Sequence, residues 1–366
     1  MFDKPFEGPL EQLFARRLPD LRSIVLECVV PCKFRSHILE QLDRGHQDAV
    51  LTLLPMMSPN LDTVDLSPPD DIYNSTLYRA LFYAPYGCMC DPQFAHRVIL
   101  KHKTRLQKLH SFTVRRRHDF VSRAYPARQL TSIKRIEVVN GDLTPVMGDD
   151  RACPPCDAVE SLSLTNVKID ISVLNYMPRH SPELKSMFIT LAPDNGALSR
   201  STLGDAMRNS LSTLNSFGLD SRANDCQIQQ ATWEEGLYGE LGSLREMTNL
   251  KRLSATPKLL LYPASVSVAG GCCSLQDVLP VNLRELTLLG SLEVTSVPVV
   301  DSHVLGQVKK LLSSCGEHLL ECIRIQGFKN TTNVLFHPAW SRSEERCEKN
   351  RDRIYYTYRR RLPKRS

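Results

Sequence analysis

The sequence lacks the features that mark secreted and membrane-spanning proteins. Its first residues, MFDKPFEGPLEQLF, carry acidic side chains early and no apolar run, so they do not form a secretory signal. No apolar stretch approaches the length that crosses a bilayer. The twelve cysteines are therefore expected to be reduced thiols, and we expect a cytoplasmic or nuclear protein with no membrane partner.

The sequence also lacks the short motifs of common catalytic sites. No GxSxG, Walker-type or HExxH string occurs, and no glycine-rich turn follows a predicted strand. Cys153 and Cys156 form a CxxC, but a predicted strand follows it, and a redox dithiol needs a helix N-terminus there. A zinc site that adds Cys88 and Cys90 would have an unusual spacing. We expect no catalytic, cofactor-binding or metal-ligating residues, and therefore no enzyme.

The body of the chain has no excess charge of either sign. The whole sequence has 46 Lys and Arg against 40 Asp and Glu, a formal charge of +6. Ser341 to Ser366 holds ten basic and four acidic residues, 10 − 4 = +6, so 36 of each sign remain elsewhere. This pattern disfavours a basic nucleic-acid-binding domain and sets 331–366 apart as a basic C-terminal tail.

What the chain does contain is a repeated apolar pattern. In LPVNLRELTLLG, three apolar residues (Leu283, Leu286 and Leu288) occupy positions 0, +3 and +5, with mostly polar residues between them. The last two alternate, which places both side chains on one face of a strand. Nine further copies begin at Leu21, Leu61, Leu109, Ile133, Val159, Leu184, Leu214, Leu250 and Leu320.

These copies predict an α/β fold, an irregular leucine-rich-repeat solenoid. It would be horseshoe-like, with parallel β-strands on the concave face and helices and loops on the convex side. Helical returns are predicted at 34–54, 170–177 and 300–315, and an insert at about 68–105 with a helix at 73–83. The alternative is an ordinary parallel α/β sheet, but its strands would be almost continuously apolar. The predicted boundaries are 1–17 for an N-terminal cap or remnant and 18–330 for the solenoid.

Three phrases of the repeat resemble a known family. LLPMMSPNLDTVDLS, LPVNLRELTLLG and MTNLKRLSA are similar to the leucine-rich-repeat region of fungal F-box-like proteins, over about Leu18 to Phe328. The resemblance implies substrate recognition for a cullin-type ubiquitin ligase through an adaptor. The F-box itself is predicted to be absent, because the residues after Leu18-Pro19 match a strand and no Trp follows. The Asn or Cys typical of position +8 is also missing, which puts uniform curvature in doubt.

The side chains at +2, +4 and +6 of each copy are predicted to point away from the core. They are rich in Ser and Thr, carry charges of both signs and include one aromatic ring. This mixture favours a protein or peptide ligand over a nucleic acid. The alternative is an α/β enzyme with a pocket at the C-terminal ends of the strands. The candidate partner-binding residues are Arg115, Arg135, Glu137, Phe188, Asp220, Arg252, Glu285 and Arg324.

Overall fold

The computed structural model divides the chain into two compact units. The first comprises Met1–Gly141 and Gly148–Val159, and the second comprises Asp142–Met147 and Glu160–Ser366. The residues that the structure describes are 9–28, 32–45, 49–50, 62–66, 110–115, 133–141, 158–169, 181–192, 208, 213–222, 241–261, 274–290, 298–314, 319–328, 338–346 and 354–361.

The first unit begins with two helices, α1 (Pro9–Cys28) and α2 (Cys32–Asp43). Both are amphipathic, and their apolar faces meet in a small core in which Val25, Ile38 and Leu42 are fully buried. An ion pair between Arg22 and Asp43, with 2.6 Å between Nη1 and Oδ1, links the two helices at the surface. The N-terminal segment is therefore a helical pair with its own apolar cluster.

The prediction of a strand at Leu21, Ile24 and Leu26 is wrong, because these residues lie inside α1. The apolar residues that pack in α1 include Leu18, Leu21 and Val25, which are spaced i, i+3 and i+7. That spacing is helical and places the three side chains on one face. Leu26, the +5 residue, falls off this face and is 53% exposed.

The first unit also contains three parallel strands: β1 (Thr63–Leu66), β2 (Ser111–Arg115) and β3 (Arg135–Val139). Val64 pairs with Phe112, and Phe112 pairs with Ile136. These are the +3 residues of three successive copies of the apolar pattern. The repeat therefore sets the register of the strands, as a pattern that buries one face should.

The second unit contains six parallel strands that are neighbours in chain order. They are β4 (Ser161–Val167), β5 (Ser186–Leu191), β6 (Ser216–Asp220), β7 (Arg252–Ala255), β8 (Glu285–Leu289) and β9 (Cys322–Phe328). The +3 residues again pair across every strand. They form one row: Leu162, Met187, Phe217, Leu253, Leu286 and Ile323.

One face of this sheet is the core of the second unit. The +3 row and the +5 row (Leu164, Ile189, Leu219, Ala255, Leu288 and Ile325) are both buried. The position-0 residues Leu184, Leu214, Leu250, Leu283 and Leu320 are buried as well. Each apolar anchor of the repeat therefore contributes to one continuous core, which no single strand could form alone.

In the described part of the second unit, three helical segments follow strands. They are the short turns α3 (Pro257–Leu260) and α4 (Leu275–Val278), and the longer α5 (Pro298–Ser313). Val304, Val308, Leu311 and Leu312 of α5 are buried, which confirms the amphipathic helix predicted at 300–315. Helix α2 confirms the first half of the helix predicted at 34–54. The predicted helices at 73–83 and 170–177 lie outside the described residues, as does the insert at 68–105.

The segment 331–366, distinguished in the sequence by its basic charge, contributes two strands to the second unit. These are β10 (Trp340–Arg346) and β11 (Ile354–Arg360). β11 pairs antiparallel with β9 on one side and with β10 on the other, so the strand order ends β9-β11-β10. Tyr356 and Tyr358 lie opposite Ile325 and Ile323 and are buried with them. The sheet therefore continues past residue 330.

The fold is α/β with a mostly parallel sheet, as the sequence predicted. Nine of the ten predicted strand segments are strands in the described residues, and their pairing is parallel. Among the described helices, none combines the length and the apolar content that crossing a membrane requires.

The capping of α4 gives a pH-dependent prediction. Ser274 Oγ accepts a hydrogen bond from Asp277 N, and the Asp277 carboxylate accepts one from Ser274 Oγ at 2.7 Å and one from Ser274 N at 3.2 Å. The pKa of Asp277 is held below its usual range, mainly by the hydrogen bond from the Ser274 hydroxyl and secondly by the one from the Ser274 backbone N–H. Because the folded-state pKa is lowered, the ionised carboxylate of Asp277 stabilises the folded protein. This stabilisation is fully present above the unfolded-state pKa and is lost as the pH falls through the folded-state pKa.

We expect Asp277→Asn to lower the free energy of unfolding by about 1 kcal/mol at neutral pH. The difference from the unsubstituted protein should begin to shrink as the pH falls below the unfolded-state pKa of about 4. It should be lost once the pH is below the lowered folded-state pKa, where the unsubstituted Asp277 is itself protonated. Urea denaturation followed by circular dichroism across this range measures the difference. A difference that stays constant down to pH 2 would show that the charge of Asp277 is not what stabilises the cap.

Candidate functional site

The second unit presents a polar sheet face opposite its core. We call this the open face and define it by the residues that alternate with the buried anchors. They are Ser161, Ser163, Ser186, Phe188, Ser216, Gly218, Arg252, Ser254, Glu285, Thr287, Cys322, Arg324, Thr357 and Arg359. Strand pairing aligns them in two rows. One runs from Ser161 to Arg359 and the other from Ser163 to Thr357.

Phe188 is the large apolar side chain of the open face. It is 37% exposed, although the flanking residues Met187 and Ile189 on the same strand are buried in the core. Its ring lies over Gly218, its register partner on β6. A Cβ atom at Gly218 would overlap the Cδ2 and Cε2 atoms of the ring. The absence of a side chain at Gly218 therefore lets the ring lie down on the sheet and still expose one side to solvent.

Three charged side chains of the open face lie together near its C-terminal strands. Arg252, Glu285 and Cys322 are register partners on β7, β8 and β9, and Arg324 follows two residues after Cys322. Arg324 Nη1 lies 3.3 Å from Glu285 Oε2. Arg252 is exposed. The structure therefore brings three of the predicted partner-binding residues, Arg252, Glu285 and Arg324, into one cluster.

Asp220, another predicted partner-binding residue, is only 6% exposed. Its carboxylate accepts hydrogen bonds from Arg222 Nε at 2.9 Å, from Arg222 Nη2 at 2.6 Å and from the Arg222 backbone N–H at 3.0 Å. This bidentate pair occupies both carboxylate oxygens. Asp220 therefore has a close partner within the chain, at the C-terminal end of β6.

The C-terminal ends of β6 and β7 carry further buried polar groups. Ser221 and Thr256 are almost fully buried, and their hydroxyl oxygens lie 2.8 Å apart. Thr256 Oγ1 also accepts a hydrogen bond from the Ser221 backbone N–H at 3.3 Å. These groups satisfy one another between neighbouring strands. This is also the edge at which an α/β enzyme would have its pocket.

Three predicted partner-binding residues belong to the first unit. Arg135 is exposed at the start of β3, and Glu137 is half-buried two residues later. Glu137 Oε2 accepts a hydrogen bond from Thr113 Oγ1 at 3.4 Å, across the pairing of β2 and β3. Arg115 ends β2, and its side chain lies outside the described residues. Arg135 and Glu137 thus share one sheet face of their own unit.

Arg359 is a residue of the open face that the sequence did not indicate. It is exposed on β11, opposite Cys322 of β9. Burial raises the pKa of the Cys322 thiol, although the positive charge of Arg324 opposes this effect. The alternation of Tyr356 and Tyr358 with Thr357 and Arg359 is the sequence signal that could have predicted this strand.

The chemistry of the described residues is that of a recognition surface with hydroxyl, aromatic and mixed-charge groups. Among the described side chains, His, Cys, Asp and Glu do not gather in groups of three or more that could hold a metal ion. The cysteines of the CxxC, and Cys88 and Cys90, lie outside the part of the chain that the structure describes. No protein-family model matches this chain, and a search of curated proteins finds no significant relative.

Proposed function

We propose that the protein is a non-enzymatic protein–protein interaction scaffold that binds a protein or peptide on the open face. The observation that carries this proposal is the exposed ring of Phe188 on Gly218, on the same sheet face as Arg252 and Arg324. Aromatic and arginine side chains are enriched at the centres of protein interfaces. Rigid strands hold these groups in place before a ligand arrives, which lowers the entropic cost of binding.

We further propose that the strand units form an irregular leucine-rich-repeat solenoid, in which the open face is concave. Three observations of the second unit support this proposal. The position-0, +3 and +5 anchors are buried together, successive strands pair in parallel and in chain order, and the apolar side chains of α5 are buried. A concave sheet would surround a peptide from two sides and bury more of its surface than a flat one.

The resemblance to fungal F-box-like proteins extends the proposal to a role in a cullin-type ubiquitin ligase. In this role the open face would hold the substrate, and the N-terminal helices would bind the adaptor. The helix through Leu18 and Pro19 supports this idea, because the argument against an F-box assumed a strand at this place. Leu26 offers an exposed apolar contact on α1. The protein would act in the cytoplasm or nucleus.

Affinity purification from the native cell, followed by quantitative mass spectrometry, tests the proposal. We compare the unsubstituted protein with Phe188→Ser, which removes the exposed ring, and with Gly218→Ala, which displaces it. Both variants should lose the same reproducible partner, because both remove the apolar contact of the open face. The matched control is Leu319→Ser, since Leu319 is an apolar residue that is 54% exposed and precedes β9. This control should retain the partner.

The outcomes separate the two parts of the proposal. If Phe188→Ser and Gly218→Ala retain every partner that the unsubstituted protein binds, the open face is not the binding surface. If the adaptor and cullin are recovered, Leu26→Asp should remove them while the partner of the open face remains. If neither the adaptor nor the cullin is recovered, the ligase role is wrong and the scaffold role rests on the open-face partner alone.

A further inference from the structure

We infer that the open face binds an acidic peptide segment that also carries one apolar side chain. This inference rests on the proposed function and specifies the chemistry of the partner. Phe188 on Gly218 would contact the apolar side chain. Arg252 and Arg359 would bind two carboxylates.

The first argument is the pairing of the charges on the open face. Among the described side chains of the two rows, three are arginines and one is a carboxylate, so the net charge of the rows is 3 − 1 = +2. The arginines are Arg252, Arg324 and Arg359, and the carboxylate is Glu285. Glu285 pairs with Arg324 at 3.3 Å. Within the described residues, neither Arg252 nor Arg359 has an ion-pair partner, and both are exposed. Two guanidinium groups are therefore available to a ligand of opposite charge.

The second argument is where the net charge of the chain lies. Ser341 to Ser366 holds an excess of six positive charges, and the rest of the chain has none. β10 and β11 fold half of this segment into the sheet next to β9, and the two strands carry four Arg and two Glu within it, 4 − 2 = +2. This placement raises the positive potential at the β9 end of the open face, which steers an acidic partner to that end.

The third argument is the spacing of the contacts. Arg252 and Arg359 lie in one row, three strands apart, which is roughly 14 Å at about 4.8 Å per strand. Phe188 lies two strands from Arg252 and two residues further along the strand direction, which is roughly 12 Å at about 4.8 Å per strand and about 3.3 Å per residue. An extended peptide rises about 3.3 Å per residue. A peptide that crosses the strands would therefore match these sites with its apolar residue four positions from one acid and a second acid four positions further on, a spacing that places all three side chains on one face of the peptide.

A protein segment fits this surface better than a nucleic acid. Glu285 lies between the arginines and would repel a phosphate backbone. Phe188 is the single described aromatic ring of the open face, whereas single-stranded nucleic acid binds to successive stacked rings. The Ser and Thr side chains between the charges can donate hydrogen bonds to carboxylate or peptide oxygens.

Fluorescence anisotropy with synthetic peptides tests the inference. The probe is a terminally blocked nine-residue peptide with Phe at its first position, Glu at its fifth and ninth, and Ser and Gly elsewhere. Its reversed sequence is also used, because the direction of binding is not fixed by the spacing. The control peptides carry Lys in place of both Glu residues. We expect one of the two acidic peptides to bind, more weakly as salt is added, and the Lys peptides not to bind.

Charge reversal on the protein provides the second half of the test. Arg252→Glu combined with Arg359→Glu should weaken the acidic peptide about tenfold and allow the Lys peptide to bind. The single variant Arg252→Glu tests the same point with less risk to the fold and should give a smaller loss. Lys309→Glu, an exposed charge reversal on α5, is the matched control and should leave affinity unchanged.

Each remaining outcome overturns the inference in a defined way. Equal binding of the Glu and Lys peptides, or equal binding of a single-stranded oligonucleotide, shows that the open face does not select acidic peptides. If the acidic peptides do not bind while Phe188→Ser still loses a native partner, the proposed function holds and the acidic specificity is wrong. If the Phe188 variant also retains every native partner, the proposed function fails together with the inference.

Discussion

Phe217→Ala is expected to lower the free energy of unfolding by about 3 to 5 kcal/mol. Phe217 lies on β6, is 1% exposed, and belongs to the buried +3 row between Met187 and Leu253. Removing its ring loses the hydrophobic free energy of burial. It also leaves a cavity that the rigid neighbouring strands cannot fill, and this cavity lowers the stability further. Urea denaturation followed by circular dichroism measures the loss.

Phe188→Ala is the matched control for this prediction, because Phe188 lies on the neighbouring strand but on the open face. It should cost about 1 kcal/mol or less, since much of the ring is already in contact with water. A similar loss for both substitutions would mean that the two faces of the sheet are equally buried in solution. The open face would then not be available to a ligand.

Asp220→Ala is expected to lower the free energy of unfolding by about 3 kcal/mol. The substitution leaves the Arg222 guanidinium, which is only 17% exposed, without the carboxylate that accepts two of its hydrogen bonds. Removing one partner of a buried ion pair is strongly destabilising, because the remaining charge is poorly hydrated and has lost its carboxylate. The same denaturation experiment at neutral pH measures this effect.

Glu285→Ala is the control for Asp220→Ala, because it removes the carboxylate of an exposed pair. Glu285 and Arg324 are each about two-fifths exposed, so water replaces the lost contact, and the cost should stay below about 1 kcal/mol. If both substitutions cost the same, the Asp220–Arg222 pair is not fixed in solution. Asp220 would then be accessible, as the sequence alone had suggested.

The strands could be predicted from the sequence because one rule determines them. Alternating apolar residues such as Leu286 and Leu288 must face one core, and this requirement fixes both the strand and its register. The same rule failed at Leu21, because offsets of 0 and +3 also lie on one helix face. The nearby Leu18 and Val25 complete the helical spacing, whereas Leu26 faces solvent. Weighing those neighbours would have favoured α1.

The candidate site could be predicted only in part, because the exposure of a side chain depends on residues that lie outside the repeat pattern or far away in the sequence. Arg252, Glu285 and Arg324 lie together because parallel pairing aligns their positions in the repeat. The burial of Asp220 depends on Arg222, which lies outside the repeat pattern. Arg359 joins the open face because β11 reverses direction and pairs with β9. Local alternation predicts a strand there, but it does not specify its neighbour.

The antiparallel hairpin beside β9 limits how this protein can lengthen in evolution or by engineering. A duplicated unit inserted between β7 and β8 would find parallel neighbours whose +3 and +5 anchors match its own. A unit added after β9 would have to displace β11, whose Tyr356 and Tyr358 already lie beside Ile325 and Ile323 on the buried face of the sheet. A further strand could therefore be accommodated between parallel neighbours, whereas the edge of β9 is already occupied by β11. The charged residues of β10, at the margin of the sheet, also discourage end-to-end association of two molecules.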